Sequence, residues 1–188
     1  MDAIQAILRR TSIRRFRPEP VPRGVIEQLL DAAVRAPNHK LTEPWRFAVL
    51  SGTARDEYAE IRGRQRLERF ADPDSDEARA AAGKVRDEAI QTPVFIVVMM
   101  VLSPDEVVRE EDYASVMMAI ANLMVAAESL GLGTYLRTGG IMREPGLARL
   151  ARLGDGQRIV GIVSLGYPAA TEPPRRRRPA PEVTIWRE

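Results

Sequence analysis

In the segment 10–16, directly after the first predicted helix, every second position from 10 to 14 carries a basic or hydroxyl side chain. In extended backbone, Arg10, Ser12 and Arg14 point in the same direction. Two guanidinium groups on either side of a hydroxyl can bind a phosphate monoester through charge-assisted hydrogen bonds. Arginines at the end of a helix also complement the helix dipole, which is the structural alternative. The spacing therefore indicates either a phosphate site or a charged helix end.

A second polar segment lies between Pro37 and Pro44 and contains His39, the only histidine of the chain. Proline fixes the backbone and cannot continue a helix or a central strand, so we expect a stiff loop between a helix and a strand. Rigid loops that leave a sheet commonly hold ligands. His39 either contacts such a ligand or forms a hydrogen bond that stabilises the loop. Trp45, at the head of the following strand, is expected in the core.

The residue types limit the chemistry that the 188 residues can perform alone. The chain has no cysteine, which excludes disulfides, thiolate metal sites and a cysteine nucleophile, and its single histidine disfavours a histidine-based metal site. We therefore predict no metal site and no catalytic side chain, with the chemistry supplied by a bound group. The N-terminus lacks the pattern of a signal peptide, and the apolar run 94–102 is too short to cross a bilayer. These features predict a soluble, cytoplasmic protein.

The hydrophobic pattern predicts the elements that must position these residues. Two continuously apolar strands indicate a sheet that is buried on both faces, and the methionines of the longest helix are expected to pack in the core. We predict an α+β fold, with a mixed central sheet flanked by helices, in a single domain of residues 1–188. Helices are predicted at 2–10, 22–36, 53–70, 76–92, 110–130 and 143–153, and strands at 45–50, 94–102, 134–136, 158–166 and 182–186.

Four stretches of the chain resemble motifs of the nitroreductase family. The segment 10–16 is similar to the family's basic FMN-phosphate motif, and 36–47 is similar to its second motif in the form found in the small YdjA-like branch. The stretch 131–139 resembles the helix–glycine–strand region of that branch, and 159–168 resembles the last core strand of the family. The stretches occur in the family's order and span nearly the whole chain.

The resemblance implies an α+β homodimer with two FMN sites at the subunit interface. Arg14 would stabilise the reduced flavin at its N1–C2=O edge, and His39 would be a second tuning residue. The cofactor-binding residues that the resemblance implies are Arg10, Thr11, Ser12 and Arg14 near the N-terminus, Arg35, Pro37, Asn38, His39 and Leu41 toward the flavin of the other subunit, Leu136, Arg137 and Thr138 on the opposite side of the ring system, and Arg177 in the tail.

The proline-rich tail 169–188 is expected to behave as a stiff arm that reaches the partner subunit, giving a homodimer with exchanged C-termini. Its arginine run, 175–178, either contributes Arg177 to the FMN phosphate or remains a solvated basic surface. Nucleic-acid binding by this run is disfavoured, because no aromatic residues are interleaved with the arginines. Neither a nucleic acid nor a membrane is therefore expected as a partner.

The implied activity is that of an NAD(P)H-dependent FMN oxidoreductase. In this interpretation NADH or NADPH gives a hydride to the flavin, and a small nitroaromatic, quinone or similar electron-poor acceptor then takes its place in ping-pong fashion. A flavin-dependent dehalogenase or enone reductase is the alternative within the enzyme class. A flavin-binding protein without turnover, acting as a reservoir or redox sensor, is the alternative from a different class.

Overall fold

A computed structural model describes residues 1–170, 172–173 and 175–187. Two helices precede each of the first two strands, one helix precedes each of the last two strands, and short 3-10 turns occur at His39–Leu41, Gly140–Arg143 and Ala180–Val183. The helices are α1 (Ala3–Arg9), α2 (Arg23–Ala33), α3 (Thr53–Leu67), α4 (Asp76–Ile90), α5 (Glu106–Ser129) and α6 (Pro145–Leu150). The strands are β1 (Trp45–Leu50), β2 (Val94–Val101), β3 (Gly133–Arg137) and β4 (Gln157–Gly166).

The strands form one sheet in the order β1-β2-β4-β3. The predicted α+β class is confirmed, but the sheet of the described residues is antiparallel rather than mixed, since every neighbouring pair runs antiparallel. A parallel pairing is limited to the isolated bridge between Ser12 and Thr134. A strand that helices cover on both faces is apolar throughout in either orientation, so the pattern could not distinguish the two directions.

Strand β2 shows how the sheet divides the core into two layers. Its even-numbered residues, from Val94 to Met100, pack with α2 and α5 on one face. Its odd-numbered residues, Phe95, Val97 and Met99, pack with α3, α4 and α6 on the other face. This period of two is the expected geometry of a strand, and both faces are covered as the sequence predicted.

Helix α5 crosses one face of the sheet and begins four residues before its predicted start. The carboxylate of Asp105 accepts hydrogen bonds from the backbone N–H groups of Val107 (2.9 Å) and Val108 (3.1 Å), which caps the helix. Met124 is buried in the core, as expected, whereas Met118 is exposed. No helix in the described ranges has both the length and the apolar character needed to cross a membrane.

The prediction of a final strand at 182–186 is wrong for the described chain. A 3-10 turn ends at Val183, and irregular backbone follows. Ile185 and Trp186 are 87% and 82% exposed, and no described strand pairs with this segment. A β-strand needs a neighbouring strand for its backbone hydrogen bonds. Apolar alternation in the sequence therefore did not suffice to form a strand within one chain.

Candidate functional site

The segment after α1 is held in extended form against β3. The backbone N–H of Ile13 donates a 2.9 Å hydrogen bond to the carbonyl of Thr134, and Ser12 forms a bridge with the same residue. The two backbones approach closely because residue 133 is glycine: a Cβ there would lie 2.8 Å from the Cβ of Ile13. The contact fixes the backbone from which Arg10, Ser12 and Arg14 project.

Alternate residues of this segment lie on opposite sides, as extended backbone requires. Arg14 lines a cavity of about 170 Å³ together with Arg137. Thr11 and Ile13 line a different cavity of about 540 Å³ next to the end of α5. Thr11 was grouped with Arg14 in the sequence analysis, and the structure separates the two side chains.

The smaller cavity carries three arginines, Arg14, Arg62 and Arg137, and we call it the arginine cavity. The guanidinium carbons of Arg14 and Arg137 lie 5.2 and 5.1 Å from the ring centroid of Tyr135, at cation–π distance. Within the described part of the chain, none of the three forms an ion pair with a carboxylate. The cavity is therefore rich in hydrogen-bond donors and positive charge.

Tyr58 also lines this cavity, and its side chain is 1% exposed. Its hydroxyl is the one buried side-chain polar atom without a hydrogen-bond partner among the described residues. Burial raises the pKa of Tyr58, an effect that the positive charges of Arg62 and Arg137 oppose. An unpartnered buried hydroxyl costs free energy, so this group is available to a ligand.

Arg62, which also lines the cavity, has a lowered pKa. Burial lowers its pKa, and the neighbouring Arg137 and Arg69 lower it further, while Tyr58 and Glu88 oppose the shift. Guanidinium groups that crowd one another in a partly buried site favour the binding of an anion or of carbonyl oxygens. Neither Tyr58 nor Arg62 was predicted from the sequence. Their spacing of four residues on α3, one turn apart, was the available signal.

The proline-bounded loop is organised by the side chain of Asn38. Its amide nitrogen donates to Thr42 Oγ1 (3.0 Å) and to Ser115 Oγ on α5 (3.2 Å). Its carbonyl oxygen accepts a 2.7 Å hydrogen bond from the backbone N–H of Glu43. Lys40, Leu41 and Glu43 have positive φ angles of 63°, 51° and 44°, a conformation unfavourable for L-residues. Asn38 therefore stabilises a strained loop.

His39 gives the loop a further contact with α5, because its Nδ1 lies 2.9 Å from Oε2 of Glu111. This is the loop-stabilising alternative of the sequence analysis. Thr42 Oγ1 also donates to the carboxylate of Asp112. Leu41 is 81% exposed, and Arg35 and Pro37 are exposed beside it. The predicted loop residues thus form one group at the N-terminal half of α5.

The loop group is distant from the end of α1 within one chain. The loop is bonded to Ser115, whereas Arg9, which precedes Arg10, lies 4.0 Å from Glu128 near the other end of α5. The 13-residue interval of α-helix corresponds to about 20 Å at 1.5 Å per residue. A single chain therefore does not bring the loop residues and Arg10 together.

The remaining predicted residues are placed differently from one another. Leu136 turns toward the core, where a Cβ at Gly161 would lie 2.8 Å from its Cδ1. Thr138 is exposed at the end of β3. Arg177 is exposed and donates a 3.4 Å hydrogen bond to the carbonyl of Arg176. Of the predicted set, only Arg14 and Arg137 line the arginine cavity.

The sequence and the fold place the chain in a known class of protein. The chain belongs to the nitroreductase family, whose model matches residues 7–167. Two relatives are both named Putative NAD(P)H nitroreductase. YfhC of Bacillus subtilis is 31% identical over 90% of this chain and 86% of its own length. YdjA of Escherichia coli K12 is 29% identical over 89% of each chain.

Solved structures agree with this assignment. A nitroreductase-like family protein from Bacillus cereus superposes with a TM-score of 0.82 at 31% identity, over 100% of this chain and 97% of the other. A structure from Desulfovibrio desulfuricans, solved in complex with FMN, gives a TM-score of 0.75 at 24% identity over 100% and 98% of the two chains. The family and the fold that the sequence motifs predicted are confirmed.

Proposed function

We propose that this chain is an FMN-dependent NAD(P)H oxidoreductase that reduces small electron-poor acceptors such as nitroaromatics or quinones. The observation that carries the proposal is the arginine cavity, where the buried Tyr58 hydroxyl has no hydrogen-bond partner in the described chain and three arginines have no carboxylate partner there. These groups match the oxygens of a flavin, and membership of the nitroreductase family and the FMN in a structural neighbour support the match.

The donor set fits the cofactor in two parts. The cavity of about 170 Å³ is below the roughly 300–1,000 Å³ typical of small-molecule sites, so we propose that it receives only the polar edge of the flavin ring. Arg14, Arg62 and Arg137 would supply positive charge there, and the Tyr58 hydroxyl would donate a hydrogen bond. Arg10 and Ser12 would bind the phosphate, for which forked, permanently charged donors are well suited.

When bound, FMN supplies hydride acceptance from NAD(P)H and electron transfer to the acceptor. The role of the chain would be to bind FMN and to polarise its ring. With the polar edge of the flavin in the arginine cavity, fixed positive charge from Arg14 and Arg62 would favour negative charge at that edge and would require no rearrangement during the reaction. The reaction then needs no protein acid, base or nucleophile, consistent with a chain that has no cysteine and one histidine.

We further propose that residues 1–188 form one FMN-binding domain that works as a homodimer. Helix α1 exposes Ile4 (71%), Ile7 (58%) and Leu8 (71%), an apolar surface that a partner would cover. In a twofold dimer the loop group of one chain can complete the site formed by residues 10–14 of the other. Residues 169–188 would reach the partner as an arm, with Arg177 near the phosphate.

The test is an anaerobic titration of purified protein with FMN and then with NADH or NADPH, followed by flavin absorbance. We expect one FMN per chain, bleaching by at least one nicotinamide, and parallel double-reciprocal plots with a neutral quinone. Arg14→Gln should weaken FMN binding about tenfold, the usual scale for a lost charged hydrogen bond. Arg64→Gln, an exposed arginine outside the cavity, is the matched control and should bind FMN normally.

Two outcomes would overturn the proposal. A protein that takes up no FMN is not a flavoprotein. A protein that binds FMN but leaves it oxidised with both nicotinamides is a flavin-binding protein without turnover. With a working enzyme, a panel of halogenated, unsaturated and nitro acceptors separates the reductase from a dehalogenase or an enone reductase.

A further inference from the structure

A second basic cleft opens beside the arginine cavity, between α3 and α4. It has a volume of about 300 Å³ and shares Arg62 and Glu88 with the arginine cavity, so the two spaces are contiguous. We call it the α3–α4 groove. The residues that give it its polar character are Arg62, Gln65, Arg66, Arg69, Lys84 and Glu88.

Four cations line the groove, three from α3 and the turn after it and one from α4. Arg62 and Arg66 lie one turn apart on α3, and Arg69 follows in the turn after the end of that helix. Neither these arginines nor Lys84 forms an ion pair with a described carboxylate. Elsewhere an ion pair does connect α3 and α4, since Nε of Arg86 lies 3.9 Å from Oε1 of Glu60. The cations of the groove thus form no ion pair with a described carboxylate, although Glu88 also lines the groove.

The positive charges of the groove repel one another. Burial lowers the pKa of Arg62, and Arg69 is one of the cations that lower it further. Like charges on one helix face destabilise a helix in the absence of a counterion. A bound anion would remove that cost and accept several N–H donors, with the bidentate geometry that guanidinium offers to phosphate and carboxylate.

The groove also lies next to the proposed cofactor site. A Cβ added at Gly140 would be 3.8 Å from Gln65 Nε2 and 3.9 Å from Arg69 Nη2. Gly140 lies three residues after Arg137, which lines the arginine cavity. One side of the groove thus meets the loop that follows β3, and Arg62 connects it with the arginine cavity.

We infer that the α3–α4 groove binds the anionic group of a reactant whose reacting end enters the proposed flavin site. This inference rests on the proposed function and names the substrate chemistry of that site. Phosphate and carboxylate present similar oxygens to arginine, so there are two sources: the 2′-phosphate of NADPH, or the carboxylate of an aromatic acceptor. The groove would favour the anionic member of each pair of otherwise similar molecules.

The test measures equilibrium binding to the FMN-loaded protein by isothermal titration calorimetry. The probes for the phosphate source are adenosine 2′-monophosphate and neutral adenosine. Those for the carboxylate source are 4-nitrobenzoate and its neutral analogue 4-nitrobenzamide. We expect one anionic probe to bind about tenfold more tightly than its counterpart, and Arg66→Gln or Arg69→Gln to remove most of that preference, because each deletes a charged donor.

Arg64→Gln is the matched control, since it removes the same charge from an exposed position of α3 outside the groove. It should keep the preference of the unmodified protein, and thermal melts of all variants should coincide within a few degrees. The inference is overturned if the unmodified protein binds both members of each pair equally. A loss of preference in Arg64→Gln as large as in Arg66→Gln would overturn it as well.

Binding does not depend on turnover, which separates this inference from the proposed function. If FMN is bound and reduced but neither pair of probes is discriminated, the groove assignment alone fails. If the protein takes up no FMN, the proposed function fails, and titration of the protein as purified still decides if the groove discriminates between charged and neutral probes.

Discussion

At the scale of single residues, Tyr58 shows how a buried polar group without a hydrogen-bond partner can mark a binding site. Its ring packs against Phe95 with centroids 4.5 Å apart, while its hydroxyl is buried without a partner in the described chain. Protein interiors rarely leave a donor unsatisfied. Phenylalanine would fill the same volume without this cost, so the hydroxyl is more easily explained by a ligand than by packing.

We therefore predict opposite effects of Tyr58→Phe on the free and the FMN-bound protein. The free energy of unfolding of the cofactor-free protein should stay the same or rise by about 1 kcal/mol, because an unsatisfied group is removed. FMN affinity should fall about three- to tenfold, the usual range for one lost hydrogen bond. Urea unfolding and fluorescence titration with FMN measure the two quantities.

Tyr113→Phe is the matched control for that pair of measurements, since Tyr113 is 40% exposed on α5. It should change neither quantity appreciably. Unchanged FMN affinity in Tyr58→Phe would show that the hydroxyl does not serve the cofactor.

At the scale of elements, the contact between the segment 10–14 and β3 carries the candidate site. Both partners contribute residues that line the arginine cavity, and Gly133 sets the distance between their backbones. Any side chain at position 133 would push the segment away from β3, and with it the backbone that positions Arg14. Stability and ligand binding should therefore be coupled at this position.

Gly133→Ala is expected to destabilise the protein by about 1–3 kcal/mol, the usual cost of overpacking a tight contact. Gly83→Ala is the matched control in the middle of α4, where an added Cβ would meet nothing within 4 Å. It should stabilise the protein by about 0.5–1 kcal/mol, because alanine is the better helix former. Chemical unfolding of both variants gives the comparison, and equal signs would contradict it.

The sequence predicted most of these elements but not how the site is assembled. Continuous apolar runs and helical periodicity located most of the strands and helices to within a few residues, and β1 was predicted at its observed bounds. Strand direction escaped prediction, because two-sided burial removes the alternation that would reveal it. Tyr58 and Arg62 escaped as well, since their importance arises from burial and from neighbours distant in sequence, such as Arg137. The hydrogen bond between His39 and Glu111 could not be predicted either, since these residues are 72 positions apart.

At the scale of the whole molecule, the exposed apolar residues of α1 and of the C-terminal tail indicate a surface that one chain leaves uncovered. Ile7 on α1 is 58% exposed, and Trp186 in the tail is 82% exposed. Such residues cluster at interfaces more often than on the free surface of monomers. A twofold dimer would cover both sets.

Ile7→Asp should therefore convert the proposed dimer to a monomer at micromolar concentration and lower FMN content, because a charge placed in an apolar interface is costly. Sedimentation velocity and flavin absorbance measure the two effects. Ala80→Asp, at an exposed position of α4, is the control and should leave both unchanged. A protein that sediments as a monomer without any substitution would refute the dimer directly.

The length of α5 has a genetic consequence if the dimer is correct. About 20 Å of helix separates the loop anchored at Ser115 from the end of α1 near Glu128, so each site of the proposed dimer would take these two regions from different chains. A chain with a substitution in one region can then still supply the other region to a site. Two alleles that each weaken the site, Arg14→Gln in one and Asn38→Ala in the other, should then complement each other in part when expressed together. Random pairing would leave about a quarter of all sites intact, whereas two alleles altered in the same region would recover none.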